Sequence, residues 1–111
     1  MLSSMHGTGR INLNQINEHQ EECLNILQEE CAEVIQAASK IKRFGPVGKR
    51  ITDTFTNIQH IETEIGDVLA LIELCQQAGL GISEENIQKA KADKFERLSR
   101  YMHTWNQTSK N

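Results

Sequence analysis

Glu29-Glu30-Cys31-Ala32-Glu33, answered by Glu64-Ile65-Gly66-Asp67, is the part of this chain whose reading settles the rest. In both stretches acids recur three or four residues apart, a spacing that stacks side chains on one face of a helix. None of the five acids has a Lys or Arg at those offsets; the positions hold other acids, apolar residues, or Asn25, Gln36, His60 and Thr63. The cations of an ordinary solvated face are missing. At about 100° per residue, Glu29, Glu30 and Glu33 fall within about one quadrant. That quadrant flanks an apolar seam of Leu24, Leu27, Cys31, Val34, Ala38 and Ile41. Glu64 and Asp67 likewise flank Ile58, Ile61, Ile65, Val68, Ile72 and Cys75.

The obvious loop between the two helices is Gly45-Pro46-Val47-Gly48. An antiparallel hairpin turning between Gly48 and Lys49 sets Glu30 level with Asp67 and Glu33 level with Glu64. Four carboxylates at one level repel one another unless a cation joins them. Oxygen-only ligation suits a hard ion, which means Mg2+, with Mn2+ as the substitute. A di-iron carboxylate bundle needs Glu-x-x-His. The residues three before His6, His19, His60 and His103 are Ser3, Ile16, Asn57 and Arg100, so iron is not expected.

The motif E-E-x-x-E followed by E-x-x-D on the next helix resembles the MazG-like all-α nucleotide pyrophosphohydrolases. That group includes dimeric dUTPases, dCTP pyrophosphatases and phosphoribosyl-ATP pyrophosphohydrolases. The likeness covers roughly residues 20 to 101, and the combined motif is specific where either half alone is weak. One departure is that thirty residues separate Glu33 from Glu64, near or slightly past the family's usual upper limit, which reads as a longer hairpin loop. The resemblance implies a Mg2+-dependent pyrophosphohydrolase that converts an NTP or dNTP to the monophosphate and pyrophosphate. Glu30, Glu33, Glu64 and Asp67 would hold metal. Glu29 and Glu33 would be catalytic, Glu29 by orienting either the attacking water or a metal ligand. Lys94-Phe95-Glu96-Arg97 is similar to a K-F-x-x-R segment whose basic residues contact phosphates, so Lys91, Lys94 and Arg97 are expected on the substrate. The alternatives are a phosphoribosyl-ATP pyrophosphohydrolase or a non-catalytic helical dimerisation module.

At 111 residues the chain suits one domain, read here as 12–105 between a loose arm (1–11) and a polar tail (106–111). The fold expected is all-α: a hairpin plus a third helix, assembling into an oligomer of four-helix-bundle type. Helices this few leave apolar edges that a second copy would cover, so a dimer or tetramer is expected. A net charge of −3 gives no reason to expect nucleic acid. Cys23, Cys31 and Cys75 lack Cys-x-x-Cys spacing and read as buried free thiols in a reducing compartment. No signal peptide is visible and the longest apolar run, Val68 to Ile72, is too short for a bilayer, so a soluble cytoplasmic protein is expected.

Asn12 or Asn14 is expected to cap a first helix running to about Arg43, with the polar patch 17–22 as a point of bending. Thr52 or Asp53 is expected to cap the second, which ends at Gly79; Ser83 caps the third, which runs to about Tyr101. On the third helix Lys91 and Lys94 fall within the stripe Ile87, Phe95, Leu98, Met102 and Trp105. Their stems either snorkel to the bundle edge or aim at a phosphate. His60, one turn before Glu64, either orients that carboxylate or is a surface histidine. Asn57, one turn further back, carries the same two readings. Gly66 either admits a close neighbour or is merely tolerated. Trp105 reads as a core residue before a base-stacking one, and the basic group Lys40, Lys42, Arg43, Lys49 and Arg50 either as a solvated turn or as a phosphate contact.

Overall fold

The computed structural model describes residues 14–48 and 54–105. They form three helices, α1 (Glu18–Phe44), α2 (Asn57–Gln77) and α3 (Glu84–Tyr101), with no strand among the described residues. The all-α reading holds. The contacts divide after Leu80, so that α1 and α2 belong to one unit and α3 to another.

Each helix start follows from one local device. Asn17, and not Asn14, caps α1: its side chain accepts from the Gln20 N–H at 2.8 Å. The Gln20 side chain accepts from the Asn17 N–H at 2.9 Å in return. This reciprocal box requires Gln or Glu three residues on, which Asn17 has and Asn14 lacks. The polar patch is therefore the first turn of α1 and not a bend, and Ile16 stays outside the helix, 45% exposed. Asn12, Thr52 and Asp53 lie outside the described residues. Thr56 caps α2 with the same box to Gln59, at 2.9 and 3.1 Å. Ser83 caps α3 by accepting from the Asn86 N–H at 3.1 Å, as expected.

The α1–α2 hairpin is pinned at both ends. At the turn, Asn57 donates its side-chain N–H to the Gly45 carbonyl at 2.9 Å and its backbone N–H to Gly48 at 3.1 Å. Ile58 N–H reaches the Pro46 carbonyl at 2.9 Å. Gly48 has no room for a side chain: a Cβ there would stand 2.5 Å from the Phe44 carbonyl oxygen. At the open end, Gln20 Nε2 donates to the Ala78 carbonyl at 2.9 Å. These bonds hold the two helices antiparallel.

The inward face differs from the expected seam. Among the described residues, Cys23, Ala37 and Cys75 are the buried hydrophobic ones, and Glu64 is buried with them at 8% exposure. Glu30 is half-buried, whereas the expected seam members Cys31, Ile58 and Ile65 are exposed. Leu27, Val34 and Ile41 form a row that both readings share. Cys23, Glu30 and Ala37 lie on one side of it, Leu24, Cys31 and Ala38 on the other. Apolar count favours the second side. The helices pack with the first side inward, where cysteine and alanine side chains allow close approach. Carboxylates expected on the flank of the seam are thereby carried into it. The expectation that all three cysteines are buried fails at Cys31 for the same reason.

Within the α3 unit, Ile87, Leu98 and Trp105 are half-buried, Phe95 and Met102 exposed. The Phe95 and Trp105 rings pack at 6.3 Å between centroids. No helix among the described residues is long and apolar enough to cross a membrane.

Candidate metal centre

Glu30, Glu64 and Asp67 each offer a carboxylate oxygen, and these oxygens lie within 4.8 Å of one another. The spacing of the two motifs explains the meeting. Glu30 and Glu33 sit about one turn apart on α1, as do Glu64 and Asp67 on α2, and the pinned hairpin sets the pairs at one level. Glu30 faces Asp67 and Glu33 faces Glu64, each pair close enough for its carboxyl groups to share a hydrogen bond.

The electrostatics are those of a crowded acid cluster. Burial is the main cause that holds Glu30 above the ordinary carboxylate value, followed by the charges of Asp67, Glu33 and Glu29. Burial likewise raises Glu64, followed by its hydrogen bond with Glu33 and the charges of Glu33 and Asp67. His60 acts on Glu64 in the opposite direction, towards ionisation. Glu64 Oε2 is buried with no hydrogen-bond partner. A buried carboxylate oxygen without a donor is costly, and a hard cation is the partner that an all-oxygen set accepts. The residues therefore fit a divalent ion such as Mg2+ or Mn2+.

The other residues expected at the site are placed as follows. Glu29 and Glu33 are exposed on α1, on the solvent side of the cluster. His60 is half-buried one turn before Glu64. Lys91, Lys94 and Arg97 are exposed on α3, in the other unit. Arg97 lines a shallow hollow with Ala90, Asp93, Glu96 and Arg100, where Glu96 and Arg100 are paired at 2.9 Å. Asn57 is no ligand, because its side chain fastens the turn. Gly66 has open space where a Cβ would stand, so among the described residues of its unit it admits no close neighbour. Sequence reasoning missed the burial of Glu64. The signal was there in the small residues Cys23, Ala37 and Cys75, which mark the close-packed side of each helix.

Residues 18–103 match the family described as the MazG nucleotide pyrophosphohydrolase domain. No curated protein and no solved structure matches the chain.

Proposed function

Since this chain belongs to the MazG nucleotide pyrophosphohydrolase family, we propose that it is a Mg2+-dependent enzyme that hydrolyses a nucleoside triphosphate to the monophosphate and pyrophosphate. The observation that carries this reading is the buried, donorless Glu64 oxygen inside a cluster of unpaired acids. Glu30, Glu33, Glu64 and Asp67 would hold the metal. When bound there, it would neutralise phosphate charge and lower the pKa of a coordinated water.

The chain's own residues divide the remaining work by exposure. Glu64 and Glu30 are the buried and half-buried acids, suited to holding a cation out of bulk water. Glu33 faces solvent and contacts Glu64, which suits it to take the proton of the attacking water. Glu29, exposed beside it, orients that water. Water adds at the α phosphorus, and the bond to the oxygen bridging to the β phosphorus breaks. His60 draws Glu64 towards its charged form, against the burial and the neighbouring acids that raise it. Lys91, Lys94 and Arg97 supply the cations that bind the β and γ phosphates, in the active assembly of two or more copies. A cytoplasmic setting suits the three free thiols.

The test is a panel of NTPs and dNTPs with Mg2+, read out as pyrophosphate release. At least one substrate should yield stoichiometric monophosphate and pyrophosphate, with EDTA abolishing the signal. Release of orthophosphate alone, or no turnover together with no effect of Mg2+ on thermal stability, would sink the proposal in favour of a helical dimerisation module.

A further inference from the structure

We infer that Cys23 and Cys75 are a peroxide-responsive thiol pair that closes to an intramolecular disulfide, clamping the open end of the α1–α2 hairpin. The placement follows from the Gln20 Nε2 to Ala78 carbonyl bond of 2.9 Å, which fixes the register at that end. One turn inward from Gln20 is Cys23, and one turn inward from Ala78 on the antiparallel helix is Cys75. Among the described residues these two are the largest fully buried side chains, at 2% and 0% exposure, and both are free thiols. No acid of the candidate metal centre lies beside them: Cys23 is about two turns from Glu30, and Cys75 about two turns from Asp67.

The two thiols are not equivalent. His19, one turn earlier on α1 and exposed, brings its Nε2 to 3.6 Å from Cys23 Sγ, within reach of the thiol proton. Burial and the neighbouring Cys23 push the Cys75 thiol up, and no histidine among the described residues contacts Cys75 as His19 contacts Cys23. Cys23 therefore attacks first and Cys75 resolves. Cys23 also lies in the second turn of α1, where opening of the helix end admits a small oxidant. The oxidant is a hydroperoxide. Cys23 thiolate, its proton held by His19, attacks one peroxide oxygen; the O–O bond breaks, and hydroxide leaves with that proton as water. Cys23 is then a sulfenic acid. Cys75 sulfur attacks the sulfenyl sulfur, the S–O bond breaks, and a second water leaves with the Cys75 proton. Two thiols are oxidised and one peroxide is reduced. Cys31, exposed on the other side of α1, takes no part.

The full chain carrying Cys31→Ser tests this. It is treated with hydrogen peroxide, alkylated under denaturing conditions and weighed by mass spectrometry. The expected product is about 2 Da lighter than the starting chain, takes up no alkylating agent, and regains both thiols with dithiothreitol. Peptide mapping should join the segments that hold residues 23 and 75. The oxidised chain should melt higher by on the order of 10 °C, as expected for one long loop closed without strain. His19→Gln should slow disulfide formation several-fold while leaving its final extent unchanged. Two alkylatable thiols after peroxide, sulfinic acid at either cysteine in place of a cross-link, or a disulfide joining two chains would each overturn the inference. Oxidation of His19→Gln at the parent rate would overturn the role given to His19.

Discussion

Glu64 and Glu30 are held above the ordinary carboxylate value of 4.5 chiefly by burial and then by neighbouring acids. The sign of the resulting pH dependence follows directly. The folded state keeps these protons at pH values where the unfolded chain has released them, so between the ordinary value and the raised ones it binds more protons. Stability must then fall as pH rises through that window. Melting curves of metal-free protein from about pH 4 to about pH 7 should show this decline, and Mg2+ at the upper end should reverse it. A melting point that climbs with pH in the absence of metal would contradict the assignment. Glu64→Gln removes one repelling charge and gives the cluster an N–H donor. The metal-free variant should be at least as stable as the parent and lose its response to Mg2+, both read by thermal melts. Collapse of the fold would instead make Glu64 a structural residue.

Two glycines separate tight geometry from empty space. At Gly48 a methyl group would press on the Phe44 carbonyl and on the Asn57 amide that fastens the turn. Gly48→Ala should therefore destabilise the hairpin by roughly 1–3 kcal/mol, measured by urea unfolding. Gly66 sits inside α2 with open space around it. Gly66→Ala should stabilise the isolated chain by about 1 kcal/mol through helix propensity alone. Loss of stability there would mean that a second copy packs closely over that face. The helix starts carry a related lesson. Asn17 and Thr56 are caps because Gln20 and Gln59 answer them three residues on. Asn14, which has Asn17 three residues on, is passed over, whereas Ser83 caps α3 by its own hydroxyl without such an answer.

For the whole molecule the telling feature is what one copy leaves uncovered. Ile35 is 70% exposed, Leu69 60% and Ile65 44%, and Ile58 lies on the same face of α2 as Leu69 and Ile65. Such faces mark an interface, and the proposed assembly of two or more copies would bury them. Light scattering at micromolar concentration should report at least twice the 12.6 kDa chain mass. Leu69→Lys, which puts a charge in that face without touching the acid cluster, should shift the protein towards monomer. A fully active monomer would defeat the proposed architecture.

By itself the sequence determined the three helices and the Ser83 cap, because periodicity and capping are local properties of the chain, but the first two helices start later than the expected caps, at Asn17 and Thr56. It determined that Glu30 stands level with Asp67 and Glu33 with Glu64, because a hairpin with one loop has one register. It determined the family as well, since the spacing of five uncompensated acids is carried in the letters. Only the tertiary structure decided which side of the Leu27-Val34-Ile41 row faces inward. That choice rests on how closely two helices approach over Cys23, Ala37 and Cys75, a matter of shape that apolar counting does not register. The same choice turned Glu64 from a flanking acid into a buried one and exposed Cys31. It also set Cys23 and Cys75 at one level of the hairpin, which no motif announces. The bonds from Asn57 to Gly45 and from Gln20 to Ala78 belong to the tertiary structure too, because each joins residues that only the finished hairpin brings together.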